Sequence, residues 1–195
     1  MDKSYQKKLI IFASGAGSNA QKIIDYFKGN TKVKVVLIVC NNSKAGVIDI
    51  AAKENIPVLM IEKKLLSETG YVQEIKKFEP SLIVLAGFLW KIPEILISAF
   101  HHKIINIHPA LLPAYGGKGM YGNAVHEAVI TSKEKESGIT IHYVDEKYDH
   151  GKTIFQATCV IKENDTAESL AKKIHALEHE YYPKTIDKLL NEKTY

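Results

Sequence analysis

The sequence predicts an α/β fold built on a doubly wound, mainly parallel sheet that becomes mixed in its C-terminal third. Three observations carry this. Short apolar runs rich in Val, Ile and Leu alternate four times with segments whose apolar residues recur at helical spacing. The run 82–86, Leu-Ile-Val-Leu-Ala, is apolar throughout, as a parallel strand covered on both faces must be. Near the end, residues 138–144 and 153–161 read as two strands joined by Asp145-Glu146-Lys147-Tyr148-Asp149-His150-Gly151, with no room for a crossover helix, so they pair antiparallel.

Residues 9–13 form the first strand, which ends in the turn Ser14-Gly15-Ala16-Gly17-Ser18-Asn19. Ile23, Ile24 and Phe27 then recur at helical spacing until Gly29 stops the helix. Residues 33–40 are the second strand, and Asn41-Asn42-Ser43 is a turn able to cap a helix over 45–55. A third strand covers 58–61, a helix covers 67–78 and ends before Pro80, and 82–86 is the fourth strand. Four such units with right-handed crossovers make a Rossmann-like sheet. Residues 93–100 form a short helix leading into a strand over 103–108, β-branched at Ile104, Ile105 and Ile107 and ended by Pro109, which has no N–H for the ladder. Residues 113–122 carry Gly116, Gly117, Gly119 and Gly122 around Lys118, either a mobile loop over a site or a plain surface excursion. A helix over 123–131 precedes the last two strands. Asp165 with Glu168 gives a capping-box-like start to a final helix that buries Leu170, Ile174, Leu177 and Tyr181 up to Pro183, with a further turn or helix toward Leu190.

At 195 residues the chain is predicted to be one domain, 1–195. Apolar residues make up 46% and charged residues 25%, and no run approaches the ~18 apolar residues of a membrane helix. Residues 1–8 are polar and lead straight into a strand, so no secretory signal is read; with Cys40 and Cys159 both inside apolar runs, neither a disulfide framework nor a Cys-based zinc site is expected. The expected compartment is cytoplasmic. The net charge of +4 is spread without a long basic block, which gives no support to nucleic-acid binding. All 26 basic residues are lysines, so any anionic ligand must be held by backbone N–H groups, helix N-termini or Lys charges.

Asn106 and His108 lie two residues apart on a strand and so project from one face, at the carboxyl end where open α/β sheets hold ligands. An amide that can donate to a developing oxyanion beside an imidazole that can carry a proton suits acyl chemistry. The alternative is a polar pair satisfying loop backbone. Asp149 is the acid to pair with His108, favouring its imidazolium, or else a simple turn-former. His142, on the face opposite Ile141 and Tyr143, either lines the same cleft or packs behind it. Gly15, Gly17 and Ala20 match the spacing of a dinucleotide fingerprint, but the second strand ends in Cys40-Asn41-Asn42-Ser43, without the acid that would bind a ribose hydroxyl. A single phosphate is therefore expected, with Ser18 and Asn19 adding side-chain donors; the turn could also bind nothing. His101, His102, His175 and His179 show no ligand spacing, and no metal is expected.

The set Ser14-Gly15-Ala16-Gly17-Ser18-Asn19, Leu85-Ala86-Gly87-Phe88, Asn106-Ile107-His108-Pro109 with Leu111-Leu112-Pro113, and Tyr148-Asp149-His150-Gly151 resembles, in order over nearly the whole chain, the folate-dependent formyltransferases of de novo purine synthesis. The resemblance implies the formyltransferase fold, with residues 1–100 as the phosphate-binding half and 101–195 as the catalytic and folate half. It implies transfer of the formyl group of 10-formyltetrahydrofolate to the amine of glycinamide ribonucleotide, giving formylglycinamide ribonucleotide and tetrahydrofolate. The expected partners are these small molecules alone, with no metal, nucleic acid or membrane, and a monomer or homodimer is expected. By resemblance Asn106, His108 and Asp149 are catalytic, and Gly15, Ala16, Gly17, Ser18 and Asn19 hold the substrate phosphate. Ile107 and Pro109 line the cleft, and His175 and Glu178 flank the ribose and glycinamide; on its helix alone, Glu178 reads as a solvated position. Leu89, Trp90, Lys91 and Ile92, with Asn106 and Asp145, Glu146, Lys147, Tyr148 and Asp149, form the folate pocket. The family often has Arg near Leu89-Trp90-Lys91, and Lys91 is the substitute here; the 116–122 loop and His150 also depart from the usual pattern. The rival readings are another folate-dependent formyltransferase or hydrolase, and a non-catalytic nucleotide-binding module.

Overall fold

The computed structural model describes residues 6–192, so residues 1–5 of the polar N-terminal stretch lie outside the described residues. Along the chain it forms β1 (Lys7–Ala13), α1 (Ser18–Phe27), β2 (Val33–Cys40), α2 (Val47–Lys53), β3 (Val58–Met60), α3 (Thr69–Lys76) and β4 (Leu82–Leu85). There follow α4 (Glu94–Ala99), β5 (Ile104–His108), α5 (Asn123–Thr131), β6 (Glu136–Tyr143), β7 (Thr153–Val160) and α6 (Ala167–Asn191). The strands make one seven-stranded sheet in the order β3-β2-β1-β4-β5-β6-β7. Pairing is parallel from β3 to β5 and antiparallel for β5–β6 and β6–β7, the predicted doubly wound sheet with a mixed C-terminal third.

Alternation along the strands builds two apolar layers. Leu9, Ile11, Ile38, Val84, Ile105, Ile107, Ile139 and Ile141 pack under α1, α2, α5 and α6, while Ile10, Phe12, Leu37, Val39, Ile83, Leu85 and Ile104 pack under α3 and α4. The chain order reverses between β1 and β4, so their carboxyl ends open a crevice. The same alternation turns Asn106, His108 and His142 away from the Ile105–Ile107 layer, and the register sets Asn106 opposite His142. Among the described residues, no helix is long and apolar enough to cross a membrane.

Three local expectations are corrected. α2 starts at Val47 and its N-cap, Gly46, offers no side chain; Asn42 instead turns its own loop, accepting from the Lys44 N–H (3.0 Å) and donating to the Ser14 carbonyl (3.3 Å). α6 does not stop at Pro183. Burial of Tyr182, Ile186 and Leu190 carries the helix through Pro183, although a proline gives no N–H to the ladder and its ring crowds the preceding turn. Its capping box is Thr166 with Ser169, each side chain accepting the other's N–H (3.2 and 2.9 Å), whereas Asp165 is paired with Lys173 and Glu168 with the exposed Lys172.

Candidate active site

A cavity of about 850 Å³ sits over the carboxyl ends of β1, β4 and β5. At one end is the turn after β1. Gly17 is the N-cap of α1 with φ +81°, and a Cβ there would lie 2.9 Å from Val47 and Ile50 side-chain atoms, so only glycine lets this turn lie against α2. No side chain caps α1, which leaves its first N–H groups free for a ligand. Ser14 pins the turn to the β4–α4 loop, its Oγ accepting from the Leu89 N–H at 3.0 Å.

Asn19 ties this turn to α6. Its Nδ2 donates to Glu178 Oε2 at 2.9 Å, and His175 Nδ1 donates to the same oxygen at 2.9 Å. Glu178 is thus no solvated position: it is 5% exposed and lines the cavity. The His175 pKa is raised above the usual imidazole range, chiefly by its hydrogen bond to Glu178.

The centre of the cavity holds Asn106, His108 and Asp149. His108 is 3% exposed, and its Nε2 lies 2.8 Å from the Tyr115 carbonyl. A carbonyl only accepts, so Nε2 carries a proton and Nδ1 is the nitrogen that titrates. Nδ1 faces Asp149 Oδ2 at 3.6 Å. Asp149 takes the left-handed conformation, φ +55°, which Asp tolerates better than most residues, and its Oδ2 accepts the Gly117 N–H at 2.9 Å. The 113–122 segment is thereby tied to the site at Tyr115 and Gly117; a Cβ at Gly116 would fall 2.6 Å from Leu112 and 3.3 Å from the Asp149 Cβ.

Burial raises the Asp149 pKa, but the neighbouring His142 and His108 rings and the Gly117 N–H outweigh it, and the net pKa lies below the usual carboxylate range. For His108 the balance runs against expectation. Burial lowers its pKa more than the Asp149 charge raises it, so the resting imidazole is biased to the neutral form rather than held as imidazolium.

The other wall is the β4–α4 loop with Leu89, Trp90, Lys91 and Ile92, facing Asp145, Lys147 and Tyr148 of the β6–β7 loop. Ile107 and Pro109 line the floor. The expected residues converge on one cavity with one exception: Glu146 is exposed and does not line it. Two buried histidines also belong to the site: His142, which takes the cleft-lining alternative of its two readings, and His126, which had none. His142 is 2% exposed, lines the cavity and touches both Asn106 and Asp149. His126, on the inner face of α5 with Val125 and Val129, lines the cavity with its Nδ1 buried and unpartnered. The alternation of β6 and the helical spacing of α5 were the available signals for each.

Comparison with known proteins agrees with this geometry. Residues 7–186 match the formyl transferase family. The chloroplastic phosphoribosylglycinamide formyltransferase of Vigna unguiculata is 43% identical over 96% of this chain, which spans 62% of that relative's length. The phosphoribosylglycinamide formyltransferase of Bacillus subtilis is 40% identical, the match covering 94% of this chain and 95% of the relative. The crystal structure of phosphoribosylglycinamide formyltransferase from Bacillus halodurans superposes with a TM-score of 0.87 at 38% identity, covering 96% of this chain and 97% of that one. With a sheet, a cleft and an Asn-x-His strand of this kind, the chain belongs to the formyl transferase family.

Proposed function

We propose that the chain transfers the formyl group of 10-formyltetrahydrofolate to the amine of glycinamide ribonucleotide in purine synthesis. The observation that carries this is the meeting of an amide, an imidazole and a carboxylate at the centre of one cavity, with an uncapped helix N-terminus at its end. The uncapped turn at Gly15, Ala16, Gly17, Ser18 and Asn19 suits a phosphate in a chain without arginine. Glu178, held through Oε2 alone, keeps Oε1 to accept from a ribose or glycinamide donor, and His175 stands beside it.

The folate side fits a flat ring with a carboxylate tail. Buried Ile92 and Phe88 give apolar walls, and exposed Lys91, Lys118 and Lys147 supply cations at the cavity. Asn106 meets the formyl oxygen as it gains negative charge, and that charge draws a proton onto His108 Nδ1, which burial otherwise leaves neutral. Asp149 steadies that proton and, through water, assists its passage from the attacking amine to the folate nitrogen that leaves. No covalent enzyme intermediate is needed. Residues 1–100 act as the phosphate-binding half and 101–195 as the catalytic and folate half of one domain, working in the cytoplasm.

Mixing the protein with 10-formyltetrahydrofolate and glycinamide ribonucleotide, and following the absorbance of the deformylated folate, tests the proposal. Turnover that requires both compounds is expected. Binding of the ribonucleotide without formyl transfer would contradict it and favour a nucleotide-binding module.

A further inference from the structure

His142 Nδ1 lies 2.8 Å from the Tyr143 carbonyl oxygen. That oxygen only accepts, so Nδ1 carries the proton and Nε2 of the neutral ring is a lone pair. Asn106 Nδ2 lies 3.2 Å from this Nε2, across a directly opposed β5–β6 pair. Only one setting of the Asn106 amide makes that bond; the flipped amide would set Oδ1 against the lone pair. With one N–H spent on His142, the second N–H of the same nitrogen is left for the cavity that Asn106 lines.

We propose that His142 is a positioning residue for the formyl transfer proposed above: its Nε2 fixes the Asn106 amide with an N–H toward the oxygen that gains charge. The groups facing His142 are Asn106 on β5 and Asp149 on the β6–β7 loop, with His108 across the carboxylate. His142 Nε2 and His108 Nδ1 each lie 3.6 Å from Asp149, on Oδ1 and Oδ2 respectively. A proton entering between the rings therefore has two seats. On His142 Nε2 it would point at the Asn106 N–H and expel it. On His108 Nδ1 it breaks no hydrogen bond, because that ring's other nitrogen is the one bound to Tyr115. The Asn106–His142 bond thus sets the oxyanion donor and directs the proton to His108.

The test compares three substitutions in the full chain. His142→Gln can return an acceptor near the Nε2 position, His142→Asn is too short to reach it, and His142→Phe keeps the ring without its nitrogens. We expect kcat to fall about 10- to 100-fold for His142→Asn and His142→Phe, with KM for both substrates within about threefold and most of the loss recovered by His142→Gln. In an Asn106→Ala background the same changes should cost no more than about twofold, because the amide they position is gone. Long-range ¹H–¹⁵N spectra of the substrate-free wild type should show the neutral His142 ring with its proton on Nδ1. Full additivity with Asn106→Ala, or a His142 protonated at Nε2, would overturn the inference while leaving the transfer activity standing. A wild-type protein without formyl transfer would instead defeat the activity itself, whatever the spectra show.

Discussion

Burial sets the direction of the pKa shift at two histidines in this cleft. His108 and His126 both have pKa values below the usual imidazole range, first because burial penalises the charged ring. A histidine with a depressed folded-state pKa contributes stability above its unfolded value of about 6.5, and loses it as pH falls through the folded value. The fold should therefore weaken as pH drops below about 6.5, partly offset by His175, whose raised pKa acts in the opposite sense. His126→Leu should flatten that slope, as urea denaturation at a series of pH values will show; an unchanged slope would contradict the burial argument. At this scale Asn106, His108 and Asp149 were legible because strand period and Pro109 place the first two, and a lone acid in the inter-strand loop just before His150-Gly151 suggests the third. His126 was not, because on α5 it stands among Val125 and Val129 as one more inward residue. Nor was burial's advantage over Asp149 at His108, which depends on the Tyr115–Gly117 strap lying over the ring.

The elements that aim these residues are held by few contacts. Gly17→Ala puts a side chain 2.9 Å from α2 and asks alanine for a left-handed backbone, which alone costs about 1–2 kcal/mol. Loss of stability should come with a raised KM for the ribonucleotide and little change in KM for the folate, measured by initial rates. An equal rise in both would show that the turn is not a phosphate seat. Thr166→Ala removes the α6 capping box and should cost about 1 kcal/mol in urea denaturation with activity retained, since the cap lies on the exposed side of the helix. Strands and most helices could be read from period alone. The passage of α6 through Pro183 could not, because propensity predicts a break and only the packed face around Tyr182 overrides it; its hydroxyl also donates to the Leu85 carbonyl at 3.0 Å.

Across the whole molecule, the site gathers residues 15–19, 85–92, 106–109, 117–123 and 147–149 with Asp145, His175 and Glu178 at one end of the sheet. Strand order explains most of this. β1, β4 and β5 end side by side, and the antiparallel β6 lays His142 against Asn106. The approach of Asp149 depends on a loop conformation and a glycine strap that no periodicity encodes, which is why the sequence also allows it as a plain turn-former. The most direct test of the account is the steady-state formyl transfer rate of Asn106→Ala and Asp149→Asn, each verified as folded by its denaturation curve. Loss of one oxyanion donor predicts a fall in kcat of about 10² to 10³ for Asn106→Ala, with a comparable fall for Asp149→Asn and ribonucleotide binding kept within a few-fold. Folded variants that turn over at near the wild-type rate would contradict it.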